Sequence, residues 1–146
     1  MLEMLMVVAI IGIIMAIVTP QFSKIKENQV LKTASADVFS SINKAYSQTL
    51  ASLNSSQYGV HFQSDKVIIF KGTSYVVNNA NNETISIIAP ATISSSLSLI
   101  AGGTVVSDLY FSRLSGVPNA IGTITVSTTS YSKIITILAT GAFSIN

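Results

Sequence analysis

Residues 4–18 are apolar or glycine without exception, and across residues 1–23 the only ionisable side chain is Glu3. As a helix the first 18 residues reach about 27 Å, slightly less than the ~30 Å of hydrocarbon in a bilayer. Further along, the pattern acquires a period. Leu31, Ala34, Val38, Ile42, Ala45 and Leu53 recur on one helical face, with Phe39, Tyr46 and Leu50 beside them, which predicts one continuous helix ending near Leu53. Such a helix is about 80 Å long, far more than the rest of the chain can cover, so its first half must protrude.

Asn54, Ser55 and Ser56 break the helical pattern, and short β-branched and aromatic runs follow, separated by Gly, Asn, Ser and Pro. Strands are predicted at 58–63, 66–71, 74–77, 84–89, 105–111, 123–127, 133–138 and 142–145. Hairpins are expected at Ser64 and Asp65 and around Ser130, and a loop at 78–82. The run 94–98 reads as a weak strand or a turn. The predicted class is therefore α+β: a long N-terminal helix packed on an antiparallel sheet or two-sheet head. The division is 1–24 for an apolar transmembrane or filament-core helix, 25–54 for its amphipathic half and 55–146 for a β-rich head.

Composition sharpens this picture. Charged residues are 10% of the chain and hydrophobic ones 49%, too apolar for a disordered protein. The eight basic side chains are scattered, giving a formal charge of +2 without a basic cluster. Lys66, Lys71, Arg113 and Lys133 are the candidates for a nucleic-acid contact if folding gathers them, but no dense positive stripe with stacking aromatics is evident. The absence of cysteine excludes disulfides, thiolate metal sites and a cysteine nucleophile. His61 is the only histidine and reads as structural. Asp65, Glu83 and Asp108 match no calcium loop, no serine sits in a nucleophile elbow, and no phosphate-binding glycine loop is present. Neither an enzyme nor a cofactor or metal is expected. Asn54 and Asn82 begin glycosylation sequons, which are frequent by chance.

A secretory signal peptide would have a basic n-region and a small-residue cleavage pattern, and neither is present. A plain single-span anchor would favour Lys24 and Lys26 on the cytoplasmic side, and leaves Glu3 unexplained. A lone carboxylate entering lipid costs on the order of 2–3 kcal/mol, so Glu3 should have a partner.

The segment MLEMLMVVAIIGIIMAIVTPQFSKIKENQ resembles the N-terminal signature of type IV pilins and type II secretion pseudopilins, with Glu3, Gly12 and Pro20 at the family's spacing. The resemblance sets Met1 at the third mature position: either two residues, the first of them methylated, and a cleaved basic leader precede it, or Met1 is itself the start; the favoured first alternative would place the head outside the membrane. A looser resemblance to GspH/FimT-type pilin heads lies in LYFSRLSGVPNAIGTITVSTTSYSKIITILATGAFSI.

The resemblance implies a structural subunit of a surface filament. Glu3 would pair with the N-terminal amine of a neighbouring subunit, and the helix would kink or melt between Gly12 and Pro20. Leu5, Val8, Ile11 and Met15 would pack in the filament core. It further implies inner-membrane assembly machinery and a prepilin peptidase as partners, membrane lipid before assembly, and an extracellular pilus afterwards. The alternative is a minor pilin or pseudopilin that initiates assembly or binds DNA or cargo.

Overall fold

The computed structural model describes residues 1–16 and 21–146. A single helix, α1 (Leu2–Leu50), leads into a 3-10 turn at Leu53–Ser55 and nine strands among the described residues. These are β1 (Tyr58–Phe62), β2 (Lys66–Lys71), β3 (Glu83–Ser86), β4 (Thr92–Leu99), β5 (Val105–Val106), β6 (Asp108–Tyr110), β7 (Ala120–Ser127), β8 (Ser132–Ile137) and β9 (Phe143–Ile145). They form two antiparallel sheets, in the orders β3-β2-β1-β6 and β5-β4-β7-β8-β9. The fold is α+β, with α1 packed against strands of both sheets.

Why this half of the helix docks is visible in its spacing. Leu31, Ala34, Val38, Ile42 and Ala45 are buried at intervals of three and four residues, the stripe an amphipathic helix presents to a core. Phe39 and Tyr46 pack at its flank, where Phe143 meets both rings edge-on and Phe111 meets Tyr46. Ser35, Ser41 and Thr49 share the buried face, and each hydroxyl donates to a backbone carbonyl of the preceding turn, so none is left unsatisfied. Thr49 also accepts a hydrogen bond from the backbone N–H of Tyr58 at 2.9 Å, fastening the end of α1 to the start of β1.

The helix stops at Leu50, short of the expected Leu53. Ser52, Asn54 and Ser55 adopt positive φ, turning the chain toward β1, and Leu53 is left exposed rather than joining the stripe. In the second sheet Gly122 has φ +144°, and a Cβ there would lie 2.1 Å from the Ser96 carbonyl oxygen. No side chain fits where β4 and β7 approach so closely.

The β1–β2 hairpin at Ser64 and Asp65 and the β7–β8 hairpin around Ser130 occur as predicted, as does the loop through 78–82. Three strand predictions need correction. The run 74–77 is not a strand: Tyr75 stacks on His61 at 4.1 Å and its N–H reaches Asp108, while Val76 and Val77 stay exposed without a ladder partner. The run 84–89 ends at Ser86 because its partner β2 begins at the paired Lys66. The run 105–111 divides at Ser107, β5 pairing in the second sheet and β6 in the first. Of the two readings of 94–98, the strand holds: the run is the middle of β4, an eight-residue strand bonded on both sides.

Candidate assembly surface

The N-terminal half of α1 projects from the head. All residues of 1–16 and 21–26 are exposed, and in the apolar run from Leu2 to Met15 the large side chains range from 77% exposure at Leu2 to 49% at Ile11. The helix is long and apolar enough to cross a membrane. Leu5, Val8, Ile11 and Met15 are all exposed, as are Leu2, Met4, Ile10 and Ile14 on the remaining faces. The apolar surface thus runs round the whole cylinder, the distribution expected of a helix surrounded by lipid or by other helices.

Glu3 lies in the first turn of α1, where a negative charge suits the positive end of the helix dipole. It makes no ion pair among the described residues, whose two ion pairs are Lys44–Glu83 and His61–Asp108. At Gly12, a Cβ would meet no atom within 4 Å outside the adjoining helix backbone, so no packing contact among the described residues requires glycine there. A small residue on an apolar helix does permit a second backbone to approach closely. Pro20 lies outside the described residues.

The four head cations do not converge. Lys66 and Lys71 open and close β2, about 17 Å apart at strand rise. Arg113 donates to the Ser55 carbonyl at 2.7 Å, near the end of α1, whereas Lys133 is on β8 of the other sheet. The three head acids are also dispersed. Glu83 holds Lys44 through both carboxylate oxygens at 2.6 and 2.7 Å. Asp108 faces His61 Nδ1, and Asp65 is exposed in the β1–β2 hairpin. His61 Nε2 lies 3.2 Å from the Gln63 amide, so both ring nitrogens have a hydrogen-bonding partner within the head. Among the described residues no group of three His, Asp or Glu could hold a metal ion.

Two features could not be foreseen as sites from the chain alone. Glu27 and Gln48 on the docked half of α1 each carry a buried oxygen without a hydrogen-bond donor, and no pattern in the sequence marks them. Lys32, on the exposed flank of α1, lines a groove with Lys133. A partial signal for the latter does exist: Lys133 alternates in step with Ile135 and Ile137, so a charge occupies a position of core-facing parity. Comparison with protein-family models, curated proteins and solved structures finds no match for this chain.

Proposed function

We propose that the chain is a structural subunit of a type IV pilus-like surface filament, stored in a membrane through its apolar helix and assembled by packing that helix against its copies. The observation that carries this reading is the projection of an apolar cylinder, holding the lone carboxylate of Glu3, from a head whose own core is complete without it. A plain anchor needs neither Glu3 nor the open glycine at position 12. In a helical bundle both acquire a use, since Gly12 allows close approach and a paired Glu3 fixes register between neighbours.

The work proposed is assembly, not catalysis, and it calls for no cofactor. Its partners are copies of the chain, membrane lipid before assembly, a leader peptidase and an inner-membrane machine that supplies the energy. The proposed location is the bacterial inner membrane followed by the extracellular filament. The alternative role, a minor pilin or pseudopilin at low copy number, shares the same helix and is distinguished by abundance. The scatter of Lys66, Lys71, Arg113 and Lys133 gives no support to DNA binding.

The test replaces Glu3. Glu3→Ala and Glu3→Gln chains are expected to insert in the membrane with the head intact, while filament yield falls at least about tenfold. Filaments at parental yield from both variants would contradict the role assigned to Glu3.

A further inference from the structure

The second sheet turns Leu97, Ile124, Val126, Ile135 and Ile137 toward the α1 stripe, so alternation along its strands points the intervening residues away from the helix. In the central row of this outer face Ser96, Thr123, Thr136 and Ser144 stand side by side across four strands. The next row joins Val105, Ser98 and Ile121, and Leu138 extends it beyond Ile137, the partner of Gly122. Val105, Ile121 and Leu138 are exposed. On the other side of the central row, the outward positions are serine and threonine apart from Ile134. Among the described residues, only Thr92 and Ser127 of these hydroxyls bond within the head, which leaves the others open to an outside partner.

No position on this face is charged or aromatic. The charges of the head lie elsewhere: Lys66, Lys71, Glu83 and Asp108 are on the first sheet, Asp65 is in its hairpin, Arg113 reaches Ser55, and Lys133 has the inward parity of Ile135. A polyanion or a metal cation therefore finds no countercharge here, and a sugar ring finds no aromatic platform. What the face does match is itself. Each hydroxyl both donates and accepts, so two copies related by a twofold axis satisfy one another. An axis along the strands also lays the apolar row of one copy over that of the other. The formal charge of +2 opposes the approach of copies, and an uncharged face meets the least repulsion.

Size decides where such a contact forms. At ~4.8 Å between strands and about 3.4 Å per residue the face covers on the order of 400 Å², about half of the ~800 Å² each partner buries in a stable complex. One pair is too small to hold, whereas a filament repeats the face at every subunit and multiplies the contact. Copies within one helical filament meet through unlike surfaces, so a like-to-like contact falls between filaments. We infer that the outer face of β4, β7, β8 and β9 binds the same face of a second copy in a neighbouring filament, joining filaments side by side. The inference rests on the filament reading and adds a lateral contact made by the head, separate from the packing of α1.

The test places charge at the two ends of the central row, where Ser96 and Ser144 are exposed, in cells that assemble the full chain. Ser96→Lys with Ser144→Lys is expected to give filaments at parental yield, while side-by-side bundles in electron micrographs fall at least about fivefold. Ser96→Glu with Ser144→Glu is expected to do the same. Mixing the two kinds of filament at low salt is expected to restore bundles, because the opposed faces then attract. Filament yield reports folding and assembly separately from bundling. Bundles at parental frequency in both variants, or mixed filaments that stay apart, would overturn the inference. Hexose mass on the peptide 114–133, or parental bundles that form only with added neutral glucan, would assign the face to sugar and overturn it likewise. Parental filaments that remain single defeat this inference alone and leave the filament reading standing. Absence of the chain from filaments overturns both.

Discussion

The two halves of α1 share one backbone conformation and differ in what surrounds them. From Leu31 to Ala45 apolar side chains are confined to a stripe, and that stripe is buried. From Leu2 to Met15 they cover every face, and each is exposed. A stripe tells where a partner lies within the same chain, because the polar remainder of the cylinder must stay in water. An apolar cylinder gives no direction; it implies only that water is not its working solvent. The contrast assigns folding to one half of the helix and external contact to the other.

The comparison can be broken most severely in the docked half. Ile42→Ala empties a fully buried position on the stripe and is expected to destabilise the head by about 2–5 kcal/mol, measured by urea unfolding of the full chain in detergent. Ile10→Ala, its counterpart in the projecting half, is expected to change head stability by no more than ~0.5 kcal/mol. Equal effects would erase the division of labour. Thr49→Val comes next: it leaves the Tyr58 N–H without its acceptor at an expected cost of about 1–3 kcal/mol. A neutral result would mean that water replaces the hydroxyl at the end of the helix.

The stripe and the hairpins were legible because each is written in local sequence. Val38 and Ile42 repeat with the helical period, and the bounds of β2 follow directly from its apolar run between Lys66 and Lys71. The misreadings share a different cause, since strand pairing depends on partners distant in sequence. Strand-favouring residues lie close on either side of Ser107 and read as one run, although the chain changes sheets there. The serines of β4 have weak strand preference, but Ile93 and Leu97 are buried between them and the neighbouring β7 completes the ladder. Val76 and Val77 have strong preference and no neighbour to pair with. Of the candidate assembly surface, Glu3 and the apolar run could be read directly, whereas the meeting of Lys32 with Lys133 required the tertiary fold.

Smaller perturbations sharpen the boundary between the halves. Lys44→Ala removes an ion pair whose side chains are 45% and 51% exposed, and such solvent-screened pairs contribute about 0–1 kcal/mol. A loss well above this range would show that β3 depends on the pair for its docking. Gly12→Leu should leave head stability unchanged within ~0.5 kcal/mol, because position 12 lies in the exposed half of α1, away from the head core. Its expected effect is confined to assembly, seen as fewer filaments by electron microscopy. Parental filament numbers would mean that no neighbouring backbone approaches closely at that position.

The central claim, that the apolar half of α1 packs against copies of itself in a surface filament, is tested most directly by shearing filaments from native cells and imaging them by electron microscopy, with their subunits identified by mass spectrometry. The expected result is thin helical filaments containing this chain, abundant for a major subunit or in trace amounts for a minor one, with α1 helices packed along the filament axis. Complete absence of the chain from filaments, with all of it retained in the membrane, would contradict the account and leave a membrane-anchored head.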